Sequence, residues 1–263
     1  MTRSPRRLPA VIGLLAGAAV AIAACGSPSL PALTDPTEII TAALTATEGA
    51  KSVHVEATLD GSISADLTGS GSTTDLPLTG TTASADVDMA GGKAHATIAV
   101  PALLNFNADV IQIGETTYLK SSLSGPQYES MEATDELPVD PTDASGIFDD
   151  LGDFLLADGV DPVKGEDVDC GGKQCYTVMI ELTPQELAAL GGAGAAAMIP
   201  LDVSDASLAF TVRVEKDTYH LAGITTVASL GAQGTLTLDV ALSKWDQPFD
   251  ISPPPADQIK PAS

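Results

Sequence analysis

Ser52-Val-His-Val-Glu-Ala-Thr-Leu-Asp60 decides the fold. Val53, Val55, Ala57 and Leu59 fall on one phase of a period of two, and His54, Glu56, Thr58 and Asp60 on the other. That alternation is an antiparallel strand with one apolar and one wet face. The pattern recurs at Ala83/Ala85/Val87/Met89, at Ala94/Ala96/Ile98/Val100, at Leu208/Phe210/Val212/Val214 and at Leu236/Leu238/Val240/Leu242. Gly91-Gly92, Gly114-Glu115 and Lys216-Asp217 stand where hairpin turns belong. Fainter strands are expected over 108–113, 117–120, 127–131, 176–182 and 219–227. The polar stretch 61–82 is expected to hold a short strand or a mobile hairpin.

Helices interrupt the strands at three places. Asp35 caps, Pro36 suits the first helical position, and Glu38 stands three residues on to answer the cap. Ile39, Ile40, Ala43 and Leu44 mark one face of this helix, which should stop near Gly49. Ile147, Phe148, Leu151, Phe154 and Leu155 repeat at helical spacing. Thr183-Pro-Gln-Glu186 is a second capping box, opening a helix through Leu187, Ala188 and Leu190; 191–198 is expected to prolong it weakly or to form a loop. No composition break divides residues 35–250, so a single domain is expected there.

Composition narrows the function. The 263 residues carry 12 Lys+Arg against 35 Asp+Glu, a net charge of −23 that excludes a general nucleic-acid binder. Hydrophobic residues make up 44% of the chain, enough for a core, but aromatics only 4%, so Ala, Val, Leu and Ile must build it. The segment 1–24 has Arg3, Arg6 and Arg7 before an apolar run from Leu8, and reads as a secretory signal. Ile22-Ala23-Ala24-Cys25 resembles the bacterial lipobox, whose cysteine is acylated; an ordinary signal peptide with a chance cysteine is the other reading. Residues 25–34 would then be the acylated Cys25 and a spacer, and 251–263 a proline-rich tail outside the core. An acylated Cys25 is expected to hold the exported protein at the extracytoplasmic face of the cell membrane. It also leaves Cys170 and Cys175 as an even pair, with Cys170-Gly-Gly-Lys-Gln-Cys175 suited to a disulfide across a turn. A redox role is the alternative, though the spacing is not Cys-x-x-Cys.

Catalytic and metal signatures are absent from the motifs. His54 and His95 fall on polar strand phases, and no His-Glu-x-x-His exists, so neither a metal nor a cofactor is expected. Gly192-x-Gly194-x-x-Ala197 follows a helix rather than a strand and lacks the context of a dinucleotide loop. Asp149-Asp150 and Asp167-x-Asp169 suggest a solvated acidic face or a weak divalent site. No nucleophile–base constellation is visible, and an enzyme is not expected.

The order of features carries a resemblance. Lipobox, capped helix, Ser52-Val-His-Val, the hairpin Ile113-Gly-Glu-Thr-Thr-Tyr-Leu119, mid-chain helices and Leu242-Ser-Lys-Trp245 before a proline-rich tail together resemble the LppX/LprA/LprF/LprG family of envelope lipoproteins. The resemblance covers roughly 35–255. It implies an α+β fold similar to the LolA/LolB carriers: a strongly curved antiparallel half-barrel, with helices covering its concave face around an apolar cavity. It implies binding of acylated lipids or glycolipids, carried or presented across the envelope, with the membrane and an envelope lipid transporter as partners. The small strand residues Ala57, Ala83, Ala85, Ala94 and Ala96 would leave apolar space unfilled. On that reading the lining falls to Val53, Val55, Val87, Ala96, Ile98, Val100, Val110, Val212, Leu236 and Leu238. The alternative is a lipid-anchored scaffold with a solid core and no lipid ligand. The Cys170–Cys175 pair and the Gly/Ser-rich 61–82 stretch depart from the family.

Overall fold

Strand Ser52–Ala65 (β1) is the axis of the molecule, because it pairs along its length with two partners at once. A computed structural model describes residues 30–65, 72–132, 144–189 and 205–260. On one side of β1 lie Thr81–Asp88 (β3), Lys93–Val100 (β4), Phe106–Ile113 (β5), Thr116–Ser121 (β6) and Glu129–Glu132 (β7), in that order. On the other lie Gly234–Ser243 (β13), Leu221–Ser229 (β12), Ser207–Glu215 (β11), Gln174–Leu182 (β10) and the short Val163–Lys164 (β8). Thr74–Pro77 (β2) flanks the far end of β1, and Val168–Asp169 (β9) flanks the start of β10. Every pairing between these strands is antiparallel, and β7 and β8 end the path without meeting, so the sheet is open.

The hairpins turn at Gly91-Gly92 and Gly114-Glu115 as expected, while the turn expected at Lys216-Asp217 runs over 216–220 and delays β12 to Leu221. The polar stretch after Asp60 does not end the first strand: β1 runs on to Ala65 and β2 folds back on it, while 66–71 lie outside the described residues. Gly61 makes this continuation possible. Its φ is +117°, and a Cβ there would stand 2.1 Å from the Thr235 carbonyl of β13.

Three α-helices lie among the described residues: Pro36–Glu48 (α1), Ala144–Leu155 (α2) and Pro184–Ala189 (α3). Asp35 caps α1 by accepting the Glu38 N–H at 3.0 Å. Thr183 and Glu186 exchange bonds across the start of α3, with the Thr183 N–H donating to Glu186 Oε2 at 2.8 Å. Ile39, Ile40 and Ala43 of α1 are fully buried on Val178 and Ile180, Val212 and Val214, Leu221, Leu242 and Val53. α2 joins them through Leu155, and Phe154 meets the edge of Phe210 at 5.4 Å. The inner face of the sheet beneath these helices is therefore a packed core.

A second, smaller cluster occupies the opposite face. Ile251 and Phe249 pack on Ile111, Ile113, Tyr118 and Tyr128. The tail also pairs with the body, the Tyr128 N–H donating to the Gln258 carbonyl and the Lys260 N–H to the Tyr128 carbonyl, both at 2.8 Å. Residue 251, expected outside any core, is thus buried on the outer face. The aromatic pair Tyr118 and Tyr128 offered it an apolar seat there.

Candidate functional site

Cross-strand register turns the inner face into transverse rows. The first, nearest the end closed by α1, runs Val53–Val87–Ala94 and is buried. The next runs Val55–Ala85–Ala96–Val110–Leu119, and all five are half-buried. A third runs Val178–Val212–Ile224–Val240–Ala57–Ala83–Ile98–Ala108. Ile98 is 37% exposed, and Leu238 of the row beyond is 39% exposed. Inner-face apolar residues are thus covered at the α1 end and all along β10, where Val178, Ile180 and Leu182 are buried, and accessible at Ile98 of β4 and Leu238 of β13.

All ten residues expected to line a cavity stand on this one face. They do not share one environment. Val53, Val87 and Val212 are at most 6% exposed and belong to the core beneath α1. A strand's alternation marks its apolar face but not the length of it that a helix covers. Val55, Ala96, Val100, Val110 and Leu236 are half-buried, and with Ile98 and Leu238 they form the accessible part.

A furrow of about 800 Å³ lies on the other face. Two outer rows line it from β1 outward, Glu56–Ser84–Thr97–Asp109–Lys120 and Thr58–Thr82–Ala99–Asn107. Of the ten expected residues it touches only Ile98. At one end Asp109 accepts from the Tyr128 hydroxyl at 2.9 Å and approaches His95 Nε2 at 3.1 Å and Lys120 Nζ at 3.3 Å. Burial pushes the Asp109 carboxyl up, but these three partners outweigh it and hold it below its ordinary value. The Tyr128 hydroxyl and Asp109 hold the Lys120 ammonium above its own. Sequence reasoning missed this cluster, although a turn at Gly114-Glu115 already sets 109 opposite 120.

His54 Nδ1 lies 2.6 Å from Asp86 on the outer face, in keeping with its polar strand phase. His220 sits in the turn before β12 and stacks on Trp245 at 4.9 Å. Asp167 takes Lys164 and Lys216, which hold its carboxyl below the usual range, and Asp169 accepts the Gly172 N–H at 3.0 Å. Those two carboxylates serve the hairpin rather than a shared ion. The side chains of Asp149 and Asp150 lie outside the described residues, as do Cys25 and 191–198.

Cys170 and Cys175 form a disulfide, their Cα atoms 6.0 Å apart. Gly171 and Gly172 both have positive φ and make the two-residue turn it spans, closed by the Cys170 N–H on the Lys173 carbonyl. The start of the described chain is fixed nearby. The Leu33 N–H donates to the Tyr176 hydroxyl at 2.9 Å, and the Tyr219 hydroxyl donates to the Pro31 carbonyl.

No family model and no curated protein matches the sequence. Solved structures do. LprF from Mycobacterium bovis aligns over 83% of this chain and 96% of its own, with a TM-score of 0.54 and 20% identity. The fold is that of LprF. The LprF-like half-barrel is α+β, an unclosed curved antiparallel sheet with helices on its inner face. The lipoprotein LppX from Mycobacterium tuberculosis aligns over 83% of this chain and 100% of its own, with a TM-score of 0.47 and 16% identity. A LolA superfamily protein from Nitrosomonas europaea aligns over 82% and 95%, with a TM-score of 0.27 and 10% identity.

Proposed function

We propose that this chain is an exported lipoprotein of the cell envelope, anchored through Cys25, that binds an acylated lipid or glycolipid on the inner face of its sheet and carries it. One observation supports this above the others. Inner-face residues under α1 are packed, whereas Val55, Ala96, Ile98, Val110, Leu236 and Leu238 on the same face keep solvent-accessible apolar surface. A continuous apolar strip without charged side chains suits acyl chains, which ask for area and no hydrogen bonds. The likeness to LprF supports the scaffold, and LppX is itself a lipoprotein.

Native mass spectrometry of protein purified from its own envelope tests the ligand. The carrier reading expects co-purified lipid, and its loss in Ile98→Trp at a near-parental melting temperature. Val212→Trp, on the same row but fully buried, is the control for a packed site and should be strongly destabilised. A lipid-free parent together with a strongly destabilised Ile98→Trp would show a scaffold with a solid core instead. The anchor is tested separately: Cys25→Ala should move the protein out of the membrane fraction, and an unmodified N-terminal peptide with unchanged partition refutes acylation.

A further inference from the structure

Leu103, Leu104 and Leu123 are 52%, 92% and 79% exposed. They stand on two neighbouring loops, the turn between β4 and β5 and the loop that follows β6. The Ser122 N–H donates to the Asn107 carbonyl at 2.8 Å and the Asn107 N–H to Ser122 Oγ at 3.2 Å, which fastens the loops together. Leu104 and Asn105 have φ of 56° and 57°, and the Phe106 N–H closes on the Leu103 carbonyl at 3.0 Å. A leucine thus fills a turn position that suits glycine or asparagine. Both its backbone and its exposure count against stability, and such strain persists where a site is used.

What surrounds these tips identifies their partner. No formal charge falls between Lys93 and Asp109, or between Lys120 and Glu129, in a chain of net charge −23, and the ammonium that the fold brings to the second loop, Lys260 on the Ser124 carbonyl at 2.9 Å, is paired with Glu129. Four of the turn N–H groups are satisfied within the loops: Leu103 on Val100, Asn105 on Pro101, Ser124 and Gly125 on Ser121. Inserting the tips into hydrocarbon would strip none of these donors of its acceptor. The patch is continuous with the accessible inner face through Ile98 and the half-buried Val100 and Phe106. It lies at the strand ends away from α1, whereas Pro31 and Leu33 are fixed near the opposite ends, by Tyr219 and Tyr176.

We propose that Leu103, Leu104 and Leu123 form a membrane-docking rim that dips into a phospholipid bilayer facing the open end of the sheet, opposite the end at which the chain enters the body. This does not depend on the inner face holding lipid. Three exposed leucines on segments that carry no formal charge of their own suit hydrocarbon, which asks for apolar area and no charged partner.

The test uses the full chain reconstituted into phosphatidylcholine vesicles and a second, protein-free population containing brominated phosphatidylcholine. The parent should cluster the two populations, and clustering should persist at about 0.5 M salt, where surface charge is screened. The variant Leu103→Ser/Leu104→Ser/Leu123→Ser should cluster roughly tenfold more slowly while melting as the parent does, because the three side chains are exposed. In Leu104→Trp, the brominated vesicles should quench fluorescence beyond the Trp245 baseline of the parent. Quenching no greater than that baseline, parental clustering by the triple variant, or clustering abolished by salt would each overturn the proposal.

Discussion

Lys173→Met should lower stability by about 2 kcal/mol, and the geometry around Glu215 sets that figure. Glu215 ends β11 with a side chain only 7% exposed, and Lys173 Nζ reaches its two oxygens at 2.7 and 2.8 Å. The Thr218 hydroxyl donates to Oε2 at 2.7 Å. Removing one partner of a fully buried ion pair costs about 3–5 kcal/mol, whereas a surface pair is worth about 0.2–1. Here the carboxylate is buried but the lysine is 52% exposed, so the loss falls between the two. In a domain of this size about 2 kcal/mol is a fall of roughly 4–8 °C in melting temperature. Urea unfolding is the assay: the midpoint should drop with the slope unchanged. A cycle with Glu215→Leu should show coupling above about 1 kcal/mol, since the lysine matters only while the buried carboxylate exists. A loss within about 0.5 kcal/mol, or an absent coupling, would refute the reasoning and place the pair among ordinary surface contacts.

Three further outcomes are expected. Cys170→Ser/Cys175→Ala should cost about 2 kcal/mol by the chain-entropy relation for so short a loop; alanine is chosen at 175 because that position is fully buried, and an unchanged urea midpoint would count against the staple. Gly61→Ala should cost about 2–3 kcal/mol, because the new Cβ meets the Thr235 carbonyl in a backbone conformation that disfavours it, and a parental melting curve would show that β1 and β13 can separate there at little cost. Burial holds His220 below its ordinary value against the pull of Asp246 and Glu215. Its contribution to stability is therefore complete above about pH 6.5 and fades as pH falls through the lower folded value. Trp245, the chain's single tryptophan and stacked on that ring, should be quenched over the same descent, and His220→Phe should abolish the change.

The strands were legible because one face of each is dry and the other wet. Five alternating runs, the Asp35 cap, the Thr183–Glu186 capping box and the turns at Gly91-Gly92 and Gly114-Glu115 stand in the structure where the residues put them. The disulfide turn was equally legible, since two adjacent glycines between nearby cysteines admit the positive φ a tight hairpin needs. Burial depth was not legible. Val53, Val87 and Val212 follow the same alternation as Ile98, and only the position of α1 distinguishes them. The tail misled for a different reason: Ser252 and the three prolines after it read as extended chain, which they are, but Phe249 and Ile251 just before them alternate as a strand would and find Tyr118 and Tyr128. The outer Asp109–Lys120–Tyr128 cluster needed the register of β5 on β6 and the return of the chain after β6, and only the first was available from the turn.

Side-chain volume along a single row accounts for the division of the inner face. From β10 to β13 the third row reads Val178, Val212, Ile224 and Val240, and α1 and α2 complete a core over it. Past β1 the same row reads Ala57, Ala83, Ile98 and Ala108. Interiors pack to a density that tolerates few voids, so a helix seated over three alanines would leave an unfilled layer unless it bore large side chains. The chain has few large aromatics: five phenylalanines, four tyrosines and one tryptophan, of which Phe148, Phe154, Tyr176, Phe210, Tyr219 and Trp245 already belong to the core around α1 and α2. The low aromatic content and the alanine columns are thus one fact seen twice. They leave a strip of sheet that is apolar and accessible at Ile98 and Leu238. Filling it with large residues, for example Ala83→Leu with Ala96→Leu, adds methylenes toward open space rather than into a packed site, so the cost of overpacking should be absent there and present at Ala94, on the same strand but 1% exposed.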